Sequence, residues 1–353
     1  MLIENDFLAG ITRFLTRSPK QINHLLEADA ELIHIGKDCI LAITTDTIIE
    51  EINEGLYTDP YQIGWMSATV NFSDLAAVGA DPKGFLTSIQ ITRNTPLFFM
   101  QSIMDGMHDA CHLNGTYIVG GDTNHCKSIQ IGGTAFGIIQ DGKTIMRKGC
   151  RPGDQLYVSD KLGLGSVYAL EILLKNQCDY AFFPRARIKE GKLIRQLGTC
   201  CIDTSDGFFS AVSNLMFINK IGIRIRHDIN ELIHHNYYLT MLNASLPPWF
   251  LLAGPHGEFE LMFTVSKKLE EELINSASEF GWHPIYVGEI TKEPLLKFQL
   301  EGTDITCNPD DVANLYEISA GDLDNYIHAL LNIHNQWKRQ PLKKSEKIAG
   351  IMT

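Results

Sequence analysis

The chain has 353 residues, of which 44% are hydrophobic, and its formal net charge at pH 7 is -12. This length suits two domains of average size, and the apolar content is sufficient for a core in each. The acidic balance excludes a general nucleic-acid-binding protein, because such proteins present a basic face to the phosphates.

Helices and strands are predicted throughout the first half of the chain. The segment 39–45 is predicted as a buried strand, because its residues (Cys-Ile-Leu-Ala-Ile-Thr-Thr) are largely apolar or β-branched. A helix is predicted over 61–78, where apolar residues recur at helical spacing before a stop at Gly79-Ala80-Asp81-Pro82. The other predicted elements are helices at 7–14 and 96–113 and strands at 84–92, 117–119 and 128–140.

The most plausible domain boundary is the polar, turn-rich segment 147–154, which lies between two apolar strands. We therefore predict a first domain at 1–148, a second at 149–337 and a basic tail at 338–353. Within the second domain we predict strands at 155–159, 221–225, 259–265 and 284–290, and helices ending near 174 and spanning 207–217 and 267–280. The elements show no regular βαβ rhythm, so an α+β fold with helices packed on sheets is favoured.

Three features bear on the cellular location. Eight cysteines are spread over the chain without a C-x-x-C pair, so we expect reduced thiols. The first residues include Glu4 and Asp6, which are not typical of a secretory signal peptide. No run of 18 or more apolar residues is present, so no membrane-spanning helix is expected. Together these features predict a cytoplasmic protein.

Four aspartates in the first part of the chain are candidates for binding a cation. Asp46, Asp74 and Asp122 follow Thr, Ser and Gly at apparent element ends, and Asp29 lies in the motif Glu-Ala-Asp-Ala. Two carboxylates about 4 Å apart repel by roughly 4 kcal/mol at an effective dielectric constant of about 20. A cluster of them therefore needs a cation or protons, and Mg²⁺ prefers such oxygen ligands. The alternative is that each aspartate is a turn or N-cap residue.

A second acidic group and an arginine lie further along the chain. The motif Asp203-Thr204-Ser205-Asp206-Gly207 precedes a predicted helix, whose N-terminus could order a cation, water or phosphate. Ser205 or Asp206 could equally serve only as the N-cap. Arg147 lies in the boundary segment, where its guanidinium could bind a phosphoryl oxygen or remain a solvated charge.

These motifs, in this order, resemble the superfamily of aminoimidazole ribonucleotide synthetase-like ATP enzymes, and most closely its thiamine-monophosphate kinase branch. The likeness extends over most of residues 1–300. It is carried by the segments 44–49 (Thr-Thr-Asp-Thr-Ile-Ile), 64–82 (Gly-Trp-Met-Ser-Ala-Thr-Val-Asn-Phe-Ser-Asp-Leu-Ala-Ala-Val-Gly-Ala-Asp-Pro), 120–123 (Gly-Gly-Asp-Thr), 147–154 (Arg-Lys-Gly-Cys-Arg-Pro-Gly-Asp) and 203–207 (Asp-Thr-Ser-Asp-Gly).

The resemblance implies a two-domain protomer that forms a homodimer through its N-terminal mixed sheet, with a barrel across the two-fold axis. It implies that ATP and Mg²⁺ bind between the two domains. The implied metal ligands are Asp29, Asp46, Asp74, Asp122, Asp203 and Asp206. The implied nucleotide-binding residues are Thr45, Thr47, Asn71, Gly121, Asp122, Thr123 and Ser205. The implied catalytic residues are Arg147, Asp122 and Asp206.

The implied reaction is in-line transfer of the γ-phosphoryl group of ATP to the phosphate of thiamine monophosphate. The acceptor is a small molecule whose phosphate is already ionised, so no strong general base is required. Alignment of the reactants and neutralisation of charge by Mg²⁺ and Arg147 would supply the catalysis.

The chain departs from the pattern of the kinase branch at three places, of which the first removes one carboxylate and the last two touch positions tied to acceptor recognition. Glu27-Ala28-Asp29 replaces Gly-Asp-Asp, and Asn53 stands where a histidine is usual. The segment 255–261 (Pro-His-Gly-Glu-Phe-Glu-Leu) replaces Gly-Gly-Glu-Asp-Tyr-Glu-Leu. These departures leave two alternatives open: an ATP-dependent ligase or cyclase that activates a carbonyl oxygen, and a nucleotide-binding paralogue without turnover.

Overall fold

The computed structural model describes residues 3–175 and 178–339. Its helices are α1 (Ile3–Thr12), α2 (Ile49–Asn53), α3 (Pro60–Ala77), α4 (Leu97–Leu113), α5 (Leu164–Lys175), α6 (Ile188–Leu197), α7 (Phe208–Asn219), α8 (His235–Asn243), α9 (Phe250–Ala253), α10 (Glu270–Glu279), α11 (Asp310–Ala313), α12 (Leu315–Ile318) and α13 (Leu323–Lys338). Its strands are β1 (Glu31–His34), β2 (Ile40–Thr47), β3 (Asp81–Ile91), β4 (Ile118–His125), β5 (Gln130–Ile139), β6 (Gln155–Val158), β7 (Gly198–Asp203), β8 (Gly222–Asp228), β9 (Leu261–Val265), β10 (Ile285–Thr291), β11 (Leu296–Leu300) and β12 (Thr303–Cys307).

The strands form two sheets. The first has the order β1-β2-β5-β3-β4, in which only the pair β3 and β4 is parallel. The second has the order β12-β11-β8-β10-β6-β9-β7, with β11 parallel to β8 and the other neighbours antiparallel. The first sheet contributes to one cluster of buried apolar side chains, and one face of the second sheet joins that cluster through Tyr157, Leu261 and Phe263. The other face of the second sheet contributes to a second cluster, through Leu156, Val158 and Met262.

Helix α3 packs against the first sheet. Asp59 caps its N-terminus by accepting a hydrogen bond from the backbone N–H of Tyr61 at 3.1 Å. The helix packs very closely on α4, because a Cβ on Gly64 would lie 1.8 Å from the carbonyl oxygen of Ile103. A Cβ on Gly106 would likewise lie 2.0 Å from the carbonyl oxygen of Tyr61. Glycine is therefore required at both crossing points.

The α+β class with two sheets is confirmed. Within the described residues the first sheet is open, with β1 and β4 as its edges, so a single chain forms no closed barrel. Along those same residues no helix is both long and apolar enough to cross a lipid bilayer. The predicted basic tail lies outside the described residues beyond Arg339.

Two predicted elements differ from the structure by more than three residues at one end. The first helix spans Ile3–Thr12 rather than 7–14. The side-chain amide of Asn5 donates to Asn214 Oδ1 at 2.8 Å, which fixes the beginning of this helix against α7. Strand β4 continues through Gly120 and Gly121 to His125, whereas the prediction ended at residue 119. The glycines do not end the strand because both remain paired with β3.

Candidate active site

Three aspartates from separate segments meet where α3 contacts β7. Asp29 precedes β1, Asp74 lies near the end of α3, and Asp203 is the last residue of β7. One carboxylate oxygen of each residue lies within 4.8 Å of those of the other two. The fold thus gathers three carboxylates that are far apart in sequence, and we call this group the aspartate cluster.

Hydroxyl groups orient two members of the aspartate cluster. Thr44 Oγ1 donates to Asp74 Oδ2 at 2.5 Å. Ser73 Oγ donates to Asp203 Oδ2 at 2.5 Å, and Ser205 Oγ donates to Asp203 Oδ1 at 2.9 Å. Each donor belongs to one of the motifs that carry the family resemblance, so these short motifs serve to fix the carboxylates in position.

Arg147 binds the third member of the aspartate cluster. Its Nε and Nη2 atoms both donate to Asp29 Oδ1, at 3.1 and 2.9 Å. The Asp29 side chain is fully buried, whereas 20% of the Arg147 side chain remains exposed. The guanidinium therefore lies beside the cluster with part of its surface open, and its predicted contact with a phosphoryl group stays a prediction.

Arg147 only partly offsets the mutual repulsion of the carboxylates in the aspartate cluster. Burial raises the pKa of Asp29 to about 6, although the guanidinium of Arg147 acts in the opposite direction. Burial raises the pKa of Asp74 well above its usual value, and the carboxylates of Asp203, Asp46 and Asp29 raise it further. Burial alone would lower the pKa of Arg147, but the carboxylates of Asp29, Asp203 and Asp74 raise it overall, so the arginine stays charged.

The donor set fits a hard divalent cation. The Oδ2 atom of Asp29 is buried and has no hydrogen-bond partner among the described residues. An unsatisfied buried carboxylate oxygen is costly, and a cation bound between the three carboxylates would satisfy it. Because every donor is an oxygen, the set suits Mg²⁺ better than Zn²⁺, which favours nitrogen and sulfur.

The other predicted metal ligands do not join the aspartate cluster. Asp46 and Asp206 line a neighbouring cavity of about 890 Å³, which we call the large cavity. Asp122 lies on β4, where its Oδ2 accepts a hydrogen bond from Asn124 at 3.0 Å. The alternative role of Ser205 or Asp206 as a helix N-cap is wrong, because α7 is capped at Gly207 without a side-chain hydrogen bond.

A second cavity of about 540 Å³ collects many of the predicted nucleotide-binding residues. Thr45, Thr47, Gly121 and Asp122 line it, along the open face of the first sheet. Gly121 is needed there, because a Cβ would lie 2.2 Å from the carbonyl oxygen of Thr87.

The remaining predicted nucleotide-binding residues lie elsewhere. Asn71 is fully buried within α3, and its amide donates to the carbonyl oxygen of Ser67 at 3.0 Å. Thr123 is exposed on β4, and Ser205 hydrogen-bonds within the aspartate cluster. None of the three is among the residues that line the second cavity in the described structure.

His256 cannot serve as a general base in this arrangement. Its Nδ1 atom lies 3.0 Å from the carbonyl oxygen of Gly165, which only accepts, so Nδ1 carries the proton. Its Nε2 atom lies 2.7 Å from the hydroxyl of Tyr57 and accepts from it. Burial lowers the pKa of His256 to about 4, so the ring is neutral with both nitrogens engaged.

Sequence reasoning did not identify the far wall of the large cavity. That wall includes Glu54 on the loop after α2, Tyr316 on α12 and Tyr326 on α13. Tyr316 donates to Glu54 Oε2 at 3.3 Å, which joins residues that are far apart in sequence. The acidic run 50–54 was visible in the sequence, but no local motif marks the two tyrosines.

Comparisons with known proteins identify the family. Residues 27–139 match the family model described as AIR synthase related protein, N-terminal domain. Thiamine-monophosphate kinase of Methanocaldococcus jannaschii is 30% identical over 309 residues, covering 80% of this chain and 92% of the relative. The Escherichia coli K12 enzyme of the same name is 28% identical over 282 residues, covering 75% and 83%.

The fold agrees with these sequence relationships. The structure of AaThiL complexed with AMPPCP and TMP has a TM-score of 0.70 at 22% identity and covers 85% of this chain and 93% of that one. At this identity the structural likeness shows the shared fold, and the sequence relatives show the family. The chain therefore belongs to the thiamine-monophosphate kinase family of AIR synthase-related proteins.

Proposed function

We propose that this protein is a Mg²⁺-dependent kinase that transfers the γ-phosphoryl group of ATP directly to thiamine monophosphate, giving ADP and thiamine diphosphate. The observation that carries the proposal is the buried aspartate cluster, in which Asp29 Oδ2 lacks a hydrogen-bond partner among the described residues. The relatives named thiamine-monophosphate kinase and the neighbouring structure with AMPPCP and TMP support the choice of donor and acceptor.

Metal binding and phosphate binding are assigned to three sets of residues. The aspartate cluster would hold one divalent ion, and Asp46 and Asp206 in the large cavity offer carboxylates for a further one. A bound Mg²⁺ supplies positive charge that offsets the charge of the phosphates. Arg147 stays protonated beside the cluster and would donate to an oxygen of the transferred group.

Nucleotide binding is assigned to the second cavity. Its lining offers the hydroxyls of Thr45 and Thr47 and the exposed backbone of Gly121 as hydrogen-bonding groups. Asp122 lies in the same lining, where a carboxylate would contact a nucleotide-bound cation rather than the phosphates themselves.

The chemistry needs no residue that removes a proton. A phosphate monoester is already ionised near neutral pH, and His256 is held neutral by its two hydrogen bonds. The protein therefore acts by placing the two phosphates in line and by surrounding them with positive charge.

A product assay with Mg-ATP and thiamine monophosphate tests the proposal. We expect thiamine diphosphate and ADP in equal amounts, resolved by chromatography or ³¹P NMR, and no product when Mg²⁺ is chelated. Binding of ATP without product would instead support a paralogue without turnover. ADP and inorganic phosphate formed only with an amide or carboxylate acceptor would support the ligase or cyclase.

The assembly of the protein into a homodimer is also a proposal. We infer a homodimer in which strand β4 meets its counterpart and two open five-stranded sheets complete a barrel. Support comes from β4, an edge strand whose residues after Ile118 are exposed.

We retain the domain boundary at 148/149, because the first sheet ends with β5 and the second begins with β6, although α1 packs against α7.

A further inference from the structure

Helix α4 presents four potential metal ligands on its exposed face. Asp105, His108, Asp109 and His112 recur at spacings of three and four residues, so their side chains lie on the same side of the helix. All four are exposed, whereas Gly106 and the other buried residues of α4 face the opposite side, where the helix packs on α3. We call the group of His108, Asp109 and His112 the α4 histidine site.

The two histidines are available to a ligand. Their ring centroids lie 6.2 Å apart, and neither imidazole forms a hydrogen bond or an ion pair with another described residue. Two histidines four residues apart on a helix can chelate Zn²⁺, with each nitrogen about 2 Å from the ion. Because both side chains are exposed, rotation about their side-chain bonds allows the two rings to converge on one ion.

A carboxylate is already oriented beside His112. Tyr61 on α3 donates a hydrogen bond from its hydroxyl to Asp109 Oδ2 at 2.8 Å. Asp109 lies three residues before His112, and therefore on the same face of α4. A hydrogen bond to one carboxylate oxygen leaves the other for a metal ion and fixes the direction in which it points.

The surroundings of the α4 histidine site are negative. Neither α3 nor α4 contains a lysine or an arginine. Burial raises the pKa of the Tyr61 hydroxyl to about 12, and the carboxylates of Asp109, Asp105 and Asp59 contribute to this rise. Three carboxylates thus act on one hydroxyl at this surface, and a divalent cation would offset their mutual repulsion.

We propose that the α4 histidine site binds a divalent transition-metal ion of the Zn²⁺ class. His108 and His112 supply nitrogen ligands, Asp109 supplies an oxygen ligand, and water completes the coordination. Imidazole favours Zn²⁺, Ni²⁺ and Cu²⁺ over Mg²⁺, so this site has a different preference from the all-oxygen aspartate cluster.

The α4 histidine site is also remote from the aspartate cluster. Tyr61, which contacts Asp109, lies near the beginning of α3, whereas Asp74 lies near its end. The rise of an α-helix separates these two residues by about 20 Å along the helix axis. The two sites can therefore be altered independently.

Calorimetric titration of the whole protein with Zn²⁺, in excess Mg²⁺, measures the affinity of the site. The wild-type protein should bind Zn²⁺ with a Kd on the order of micromolar. His112→Gln and His108→Gln should each raise this Kd about tenfold, because each removes one of the two nitrogen ligands. The matched control is His283→Gln, at an exposed position between α10 and β10, which should leave the Kd unchanged.

Thermal unfolding shows whether the variants remain folded. Without Zn²⁺ the three variants should unfold at the wild-type temperature, because the substituted side chains are exposed. With Zn²⁺ only the wild-type protein and His283→Gln should gain the full stabilisation. An unchanged Zn²⁺ affinity in both His108→Gln and His112→Gln, or a wild-type affinity weaker than millimolar, would overturn the proposal.

Electron paramagnetic resonance with Cu²⁺ identifies the ligand atoms. Cu²⁺ binds the same imidazole ligands, and each directly bound nitrogen splits its signal. We expect splitting from two nitrogens in the wild-type protein and from one in His112→Gln, whereas Asp74→Asn should retain the wild-type splitting. A spectrum that shows only oxygen ligands, or splitting that is lost in Asp74→Asn, would overturn the proposal.

Discussion

Glu258 is a buried carboxyl whose charge state should govern stability. Its Oε2 atom accepts a hydrogen bond from the backbone N–H of Gly163 at 2.8 Å. Burial raises its pKa from 4.5 to about 8, and the nearby carboxylate of Glu260 contributes in the same direction. Near neutral pH the folded protein therefore holds this group protonated, whereas the unfolded chain holds it ionised.

The sign of the resulting pH dependence follows from proton binding. Between pH 4.5 and about 8 the folded state binds the proton more tightly, so stability falls as pH rises through this window. Glu258→Gln removes the ionisation. The variant should gain stability relative to wild type by about 1 kcal/mol per pH unit across the window.

Thermal unfolding of both proteins from about pH 5 to about pH 9 measures the difference, which should rise and then level off. Glu279→Gln, exposed on α10, is the control and should show a difference that does not vary with pH. A difference between Glu258→Gln and wild type that stays constant over the whole range would contradict the assignment.

Single residues also show how far the sequence motifs specify the candidate site, where the metal-ligand roles stay predictions. Asp29, Asp74 and Asp203 were all predicted as metal ligands, and the structure brings their carboxylates together. The groups that contact these carboxylates, namely Thr44, Ser73, Ser205 and Arg147, all belong to segments that carry the family resemblance. Asp46, Asp122 and Asp206 lie outside this group among the described residues, because motif order does not specify the distance between side chains.

At the scale of elements, β4 shows both a wrong boundary and its cause. Glycines usually weaken a strand, so the prediction ended before Gly120. In the structure Gly121 is the residue that allows close contact with Thr87 on the parallel neighbour β3. By contrast, β11 (Leu-Lys-Phe-Gln-Leu) alternates buried and more exposed residues and could have been predicted from that pattern.

The exposed edge of β4 leads to a prediction about assembly. An edge strand with unpaired backbone groups and exposed apolar side chains is a template for pairing with another chain. Val119 on this strand is 54% exposed, and Leu86 on the neighbouring β3 is 41% exposed. Val119→Lys should shift the protein from dimer to monomer at micromolar concentration, because it places a charge within the proposed interface.

Sedimentation velocity measures this shift. Leu242→Lys is the matched control, because Leu242 is 48% exposed on α8 and should leave the dimer intact. A wild-type protein that sediments as a monomer, or a Val119→Lys variant that remains fully dimeric, would contradict the proposed interface.

At the scale of the whole molecule, the sequence was sufficient for the α+β class, most strands of both sheets and the family. It was not sufficient for the large cavity. That cavity is lined by residues from Ile3 to Leu330, drawn from α1, α2, α5 and α13 among others. A local sequence pattern indicates the type of a helix or strand and where it ends. It does not show which helices, distant in the chain, line the same cavity. The presence of Tyr326 in the same lining as Glu50, Glu51 and Glu54 therefore emerged only from the folded chain.

The central claim is that the aspartate cluster binds the divalent ion on which phosphoryl transfer depends. Titration with Mn²⁺, followed by electron paramagnetic resonance, tests it most directly, because Mn²⁺ takes the same oxygen ligands as Mg²⁺. The wild-type protein should bind Mn²⁺, and Asp74→Asn should weaken this binding about 100-fold. Asp105→Asn, exposed on α4, should leave it unchanged. Equal Mn²⁺ affinity in the wild-type and Asp74→Asn proteins would contradict the account.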